Sequence, residues 1–196
     1  MVKKTLGNKS VIYPYPVTLV GADINEKPNF LAISFIGIVN ANPGMIAFGL
    51  GRNHYTNLGI FDNKSFSVNI PSKDMIEIVD YIGIYSGKKI DKSKLFDIFY
   101  GKLKNAPMIK ECPINIECKL VDTLDYGGAD HVIIGEIIES YIDEKYLTDG
   151  NPDVEKMKPF LLSMYENKYY EVGQTIGKAW NIGKHYEPNN RWILSF

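Results

Sequence analysis

The sequence predicts a mainly β protein, a β-barrel with added helices, and three observations lead there. Several short apolar or alternating runs follow one another, glycine-containing turns separate them, and only one stretch has convincing helical periodicity. The 196 residues are expected to form a single domain, 1–196, which is long enough to bury one proper core. Residues 174–196 read as a tail whose Trp180, Tyr186, Trp192 and Phe196 lack periodicity, and such aromatics suit docking on a second subunit.

Taken in order, Pro14 and Pro16 suit a strand entrance or edge, and Val17 to Ala22 is a short apolar strand. The polar reversal over 23–28 sends the chain back, so the strand from Asn29 pairs antiparallel with it. Phe30 to Val39 and Met45 to Leu50 are apolar extended runs joined by the turn formers Asn40, Asn42, Pro43 and Gly44. Leu58, Ile60 and Phe61 continue a helical turn or two until Asp62-Asn63-Lys64. Phe66, Val68 and Ile70 alternate on one side of a half-buried strand. Met75, Ile76, Ile78, Val79 and Ile82 recur at helical spacing after Ser72 as N-cap, which predicts an amphipathic helix.

The stretch from Tyr85 to Lys92 reads as a loop with solvated lysines, Leu95 to Phe99 as a short amphipathic piece and Ala106 to Pro113 as a connector. Ile114, Ile116, Cys118 and Leu120 alternate on the buried side of another strand. The turn 125–129 leads into His131 to Ile138, a β-branched run typical of a central strand, where Gly135 marks a bulge or a close backbone approach. The polar stretch 143–158 is a surface excursion. Phe160 to Met164 and Tyr169 to Val172 make a last hairpin around Glu166-Asn167-Lys168.

Composition narrows the chemistry. Hydrophobic residues make up 45% and charged residues 23%, as in ordinary globular proteins, so disorder is not expected. With Lys+Arg 22 against Asp+Glu 23, no overall field draws nucleic acid or an anionic membrane, and neither is expected as a partner. No apolar run reaches the length of a membrane span and no signal-peptide core follows the first residues, so the cytoplasm is the expected location. Cys112 and Cys118 match no redox or zinc spacing, and no metal site is expected; His54 has no ligand partner at a suitable distance along the chain.

One cluster stands out. The second apolar run breaks at Gly49-Leu50-Gly51 into Arg52, Asn53, His54, Tyr55, Thr56 and Asn57, just ahead of a helix. Free N–H groups and the dipole at a helix start favour an anion, and a phosphate suits the place. Read from the residues alone, the plainer alternative is a solvated loop capping a short helix. For a lone His131 the plainer reading is a strand-start histidine held by hydrogen bonds.

The order PYPVTLVGA, KPNFLAISF, NPGMIAFGL, RNHYTN, SGKKIDK and GADHVIIGEI resembles the flavin reductase-like proteins with the FMN-binding split barrel, and among them the flavoredoxins. It spans about Pro14 to Gly173. The resemblance implies a six-stranded Greek-key split barrel that forms a homodimer, with FMN near the subunit interface. By position, Asn29, Ala32, Ile33, Ser34, Phe35 and Leu50 would contact the flavin ring or ribityl chain. Arg52 and Thr56 would hold the phosphate with Asn57 beside them, and Lys92 would bring a positive charge. His131 would lie at the open side where a nicotinamide approaches, as the catalytic candidate. Met164 stands near where the family has an aromatic, and Phe35 where a tryptophan is usual. The implied activity is an oxidoreductase passing electrons from a donor such as NAD(P)H through FMN to a flavin, ferric complex or protein acceptor. The alternative is a flavin-binding electron carrier without NAD(P)H turnover, since no G-x-G-x-x-G fingerprint is present. A pyridoxamine-phosphate oxidase-like or haem-binding relative fits the Asp91-Lys92 and His131 contexts less well.

Overall fold

The computed structural model describes residues 2–12 and 14–187, so Trp192 and Phe196 of the tail lie outside the described residues. After a two-residue strand β1 (Tyr15–Pro16), β2 (Thr18–Ile24) pairs antiparallel with β3 (Lys27–Ile33). Asn25 and Glu26 form the two-residue turn with φ of 51° and 63°, the left-handed pair whose twist matches a hairpin. The expected single run Phe30 to Val39 is bent: β3 stops at Ile33, Ser34 and Phe35 turn the chain, and β4 (Ile36–Ala41) pairs with β5 (Gly44–Gly51).

That bend closes the barrel. With β6 (Ser65–Ile70), β9 (Ile114–Leu124) and β10 (Asp130–Ile142), the main sheet runs β3-β2-β6-β9-β10-β5-β4. Its two edges, β3 and β4, are halves of one bent stretch. Counted as one strand, they give the six of the implied split barrel, and the Gly49 N–H donates to the Phe35 carbonyl at 2.9 Å beside the bend. Consecutive β6, β9 and β10 form a meander and β10 lies beside β5, which is the Greek-key arrangement. The β5-to-β6 connection is helix α1 (Thr56–Asn63), stopped by Lys64 in left-handed geometry, φ 53°.

Two cores share β2, all seven residues of which are buried. Inside the barrel, Val20, Leu50, Phe66, Phe48 and Ile133 pack together. On its outer side Leu19 and Phe30 meet Val79 and Ile82 of α2 (Ile76–Ile84). The predicted helix therefore exists. It is preceded by a 3-10 turn over Lys73–Met75, and the Ser72 side chain makes no capping bond.

The connector 97–113 carries a small hairpin of β7 (Ile98–Phe99) and β8 (Met108–Ile109), and it explains two departures from the alternating pattern. Strands β6 and β9 are buried on their polar sides too, because this segment covers them. Asn115 Nδ2 donates to the Ile109 carbonyl (2.7 Å) and to Asn69 Oδ1 (2.8 Å), and the Glu117 carboxylate accepts from the backbone of Lys102 and Leu103 and from the Tyr141 hydroxyl. Buried polar groups are thus paired, as burial requires. Gly135 meets the first of its two expectations, since the β9–β10 register shifts there; what comes close is the Phe66 ring, which a Cβ would overlap, and not another backbone.

The excursion 143–158 holds a two-strand turn, β11 (Leu147–Thr148) with β12 (Asn151–Pro152), and a short helix α3 (Val154–Met157). The last hairpin, β13 (Phe160–Ser163) with β14 (Lys168–Glu171), is extended by β1 into a second sheet beside α2. The Tyr169 hydroxyl donates to Asp80 of α2 at 2.8 Å. Among the described residues no helix is long and apolar enough to cross a membrane.

Candidate functional site

The bend at Ser34-Phe35 opens a slot of about 370 Å³ on the outer face of the barrel. One wall is the sequence-predicted edge, Ala32, Ile33, Ser34 and Phe35. Facing it are Gly49 and Gly51 of β5 and the His54 ring, with Gly83 and Asp80 of α2 behind and Leu162, Met164 and Tyr169 of the last hairpin at the far side. The walls are mostly apolar or glycine, as a flat aromatic ligand requires. Phe35, 43% exposed, is braced by Tyr15 at a centroid distance of 5.1 Å. Being an edge strand on this side, β3 leaves alternate N–H and C=O groups outside its ladder with β2.

At His54 and Gly83 the slot runs into a narrower groove of about 230 Å³, lined by Asn29, Leu31, residues 53–56, Tyr85, Ser86, Gly87 and Lys92. This is the predicted helix-start cluster, and its donors are specific. The N–H groups of His54, Asn57 and Leu58 are tied back to the carbonyls of Gly51, His54 and Tyr55. Among the described residues those of Asn53, Tyr55 and Thr56 make no backbone hydrogen bond. Thr56 is buried; its Oγ1 accepts from Asn29 Nδ2 at 2.8 Å, which leaves its own proton free to donate. Asn57 works from behind, its Nδ2 bonding the Gly51 and Arg52 carbonyls at 2.9 Å each, while its Oδ1 has no partner among the described residues. Gly87 is where the loop crosses Asn29 so closely that a Cβ would overlap Asn29 Oδ1.

Lys92, one of several solvated lysines when read from the residues and a positive charge for the cofactor by the resemblance, is only 3% exposed. Its ammonium donates to the Phe30 carbonyl at 2.9 Å and the Ile82 carbonyl at 3.0 Å. No carboxylate bonds it, and burial pushes its pKa down to about 8. Two of its three protons are used, so one remains for an anion in the groove. The residues fit a phosphate monoester: the N–H groups of residues 53, 55 and 56 that make no backbone bond among the described residues, the Thr56 hydroxyl and the buried Lys92 ammonium all belong to residues lining one groove, which adjoins the apolar slot at His54 and Gly83.

The remaining predicted residues lie elsewhere. Arg52 does not line the groove; its guanidinium forms a bidentate pair with Asp125 and donates through Nε to the Gly128 carbonyl at 2.6 Å, clasping the β9–β10 turn. That clasp holds the Asp125 carboxyl well below the usual carboxylate range. Leu50 is wholly buried in the barrel, so only its backbone is available. His131 sits opposite Leu50 in the β5–β10 ladder and therefore shares its inward face. Its ring packs edge-on against Phe61 of α1, with Nδ1 buried, unbonded among the described residues and 4.0 Å from Asp125. Strand parity puts Asp130, not His131, on the slot's face.

Sequence reasoning placed His54 only within the helix-start cluster, and missed Gly83, Ser86, Gly87, Leu162 and Tyr169 as lining residues. The fragment SGKKIDK carried a signal for two of them, since a Ser-Gly pair at a loop start marks a place where backbones come close.

A protein-family model described as the flavin reductase like domain matches residues 10–173. The crystal structure of a flavoredoxin from Methanosarcina acetivorans is 48% identical, covers 94% of this chain and 98% of its own, and superposes with a TM-score of 0.91. A flavoredoxin of Desulfovibrio vulgaris (Miyazaki F) is 36% identical with a TM-score of 0.86, covering 93% of this chain and 100% of its own. An FMN-binding protein from Thermus thermophilus, 19% identical over 91% of this chain and 98% of its own, shares the fold with a TM-score of 0.75. Among sequence relatives, a protein of Archaeoglobus fulgidus is 28% identical over 146 residues, 73% of this chain and 80% of that protein.

Proposed function

The chain belongs to the flavin reductase-like family, and from that premise we propose that it is an FMN-binding oxidoreductase, working as a cytoplasmic homodimer. Electrons from a reduced donor such as NAD(P)H would pass through the flavin to a flavin, ferric complex or protein acceptor. The observation that carries this reading is the junction of the apolar slot with the groove that Thr56 and the buried Lys92 both line. FMN, when bound, supplies hydride acceptance and one- or two-electron release. The chain's own residues do the rest. The Ala32–Phe35 edge offers backbone donors and acceptors to the ring's polar rim, Phe35 and Met164 flank the ring, and the Asn29–Thr56 bond fixes the hydroxyl that meets the phosphate. Lys92 and the N–H groups of Asn53, Tyr55 and Thr56 neutralise the phosphate, and Asn57 sets the loop that carries them. His131 and Arg52 would support the ring's neighbourhood from the barrel side, through the β5–β10 ladder.

A second reading, an electron carrier of the flavoredoxin kind with no NAD(P)H turnover, is favoured by the 48% and 36% identity to two flavoredoxins. Two measurements decide. Titration of the apoprotein with FMN and with riboflavin is expected to show tighter binding of the phosphate ester; a protein that takes up neither would falsify the flavin assignment. Anaerobic mixing of the FMN-loaded protein with NADH or NADPH is expected to bleach the flavin absorbance rapidly, and indifference to both selects the carrier.

A further inference from the structure

The slot and the groove carry opposite charge. The groove has the buried Lys92 ammonium, whereas the slot has two carboxylates, Asp80 and Asp130, and among the described residues no lysine or arginine lines it. Its one basic side chain is His54, at the end where slot and groove meet. Asp130 stands on the slot's floor. A Cβ at Gly49 would come 4.0 Å from the Asp130 Cβ and 3.7 Å from the Phe35 Cβ, so the acid and the aromatic flank one bare glycine. No hydrogen bond or salt bridge holds Asp130 among the described residues, and Arg52, a cation within its electrostatic reach, is already paired with Asp125. Asp80 comes from α2 and is half-buried. Its carboxylate accepts from the Tyr169 hydroxyl at 2.8 Å; burial, and then this bond, push that hydroxyl up to about 12, so the tyrosine keeps its proton and remains the donor.

We infer that Asp80 and Asp130 lower the reduction potential of the flavin held in this slot. The inference rests on the flavin reading above and states what these two residues do to the ring. Two electrons and one proton taken up by the neutral oxidised ring leave it with one negative charge, and carboxylates lining a slot walled mostly by carbon oppose that charge. The reduced form is then bound less tightly than the oxidised form, which is a lowered potential stated as affinity. The phosphate takes no part, since its charge is the same in both redox states. For the reaction the consequence is directional: the reduced ring gives its electrons away more readily, and a more strongly reducing donor is needed to load it. The two residues differ in weight. Half-buried Asp80 acts through a medium of lower dielectric than water, while exposed Asp130 is screened by solvent and salt.

The test uses the full-length protein loaded with FMN and the variants Asp80→Asn, Asp130→Asn and Tyr169→Phe. Two quantities are read: the midpoint potential, by anaerobic reduction against a reference dye, and the affinity for oxidised FMN. Asp80→Asn, which keeps an acceptor for the Tyr169 hydroxyl, is expected to favour reduced over oxidised FMN about tenfold, raising the two-electron potential by about 30 mV. Asp130→Asn should do so about threefold, or about 14 mV. Affinity for oxidised FMN should stay within about twofold in both. Tyr169→Phe separates charge from packing, because it removes the bond to α2 and leaves the carboxylate; its potential should not rise. Potentials unchanged in both aspartate variants, or a rise in Tyr169→Phe equal to that in Asp80→Asn, overturns the inference and leaves the flavin site standing. Protein that takes up no FMN overturns the flavin reading, and the inference with it.

Discussion

Two polar clusters leave the end of β5 in opposite directions, although one short motif, RNHYTN, supplies both. Residues 53–56 face β3 and the Gly87 loop, where donors outnumber acceptors and Lys92 is buried with a proton to spare. Arg52 faces the β9–β10 turn, where Asp125 and the Gly128 carbonyl already use its fork. A group that is charged, buried and unpaired is costly in the free protein and gains most when an anion arrives. A group already paired at the surface gains little by changing partner. The first cluster has the character of a binding site, the second that of a clasp, and charge alone does not tell them apart.

The largest effect should come from Lys92. Lys92→Met keeps the stem's packing and removes the ammonium, so FMN binding is expected to weaken by about 2–3 kcal/mol, the range for a hydrogen bond to a charged group. Riboflavin, lacking the phosphate, should bind the variant about as it binds wild type. Equal losses for both ligands would mean that the lysine supports the fold and not the anion.

The same residue sets a pH dependence. In the folded protein Lys92 loses its proton near pH 8, whereas its ordinary value is 10.5. FMN affinity should therefore fall as pH rises through about 8, and the Met variant should show no such fall. Without ligand the sign reverses for stability. Between about pH 8 and 10.5 the unfolded chain holds a proton that the folded chain has released, so the Lys92 contribution to unfolding free energy rises with pH there. Thermal melts of the wild type minus those of the Met variant would reveal a slope of the other sign.

Thr56→Ala is the intermediate case. Losing the hydroxyl removes one phosphate donor and frees Asn29 Nδ2 in a buried place, so a loss of about 1–2 kcal/mol in FMN affinity is expected. Unchanged affinity in a titration would place the phosphate elsewhere.

Much of this was legible in the sequence, for identifiable reasons. The β2–β3 hairpin, the Phe66–Val68–Ile70 alternation and the central strand from His131 follow from periodicity and turn residues, which are local. The bend at Ser34-Phe35 was not, because a single serine is a weak break in an apolar run; the bend comes from pairing with β2 on one half and β5 on the other. Asn69, Asn115 and Glu117 looked solvated because the segment that buries them is distant and irregular. In the site, residue types pointed to an anion at the helix start, but direction did not follow from type. Lys92 reads like Lys88 and Lys89 until the fold tucks it under Phe30, and His131 sits on the barrel side because the ladder pairs it with Leu50.

The smallest effect is the sharpest test of the contrast between the clusters. Arg52 and Thr56 belong to one short motif, Arg52 in the turn before α1 and Thr56 at its first position, and the resemblance gives both to the phosphate. If the guanidinium stays on Asp125, Arg52→Ala should leave FMN affinity within about twofold, and Asp125→Asn should do the same. What should change is the β9–β10 turn, whose Arg52 and Gly127 N–H tethers depend on this clasp, read as faster amide exchange over 125–129. If instead FMN draws Arg52 off Asp125, Arg52→Ala should weaken FMN about tenfold, while Asp125→Asn, which frees the guanidinium, should tighten it. The two variants then move in opposite directions. The clasp predicts that both stand still, so the pair of titrations separates an arginine that holds the barrel's rim from one that waits for the ligand.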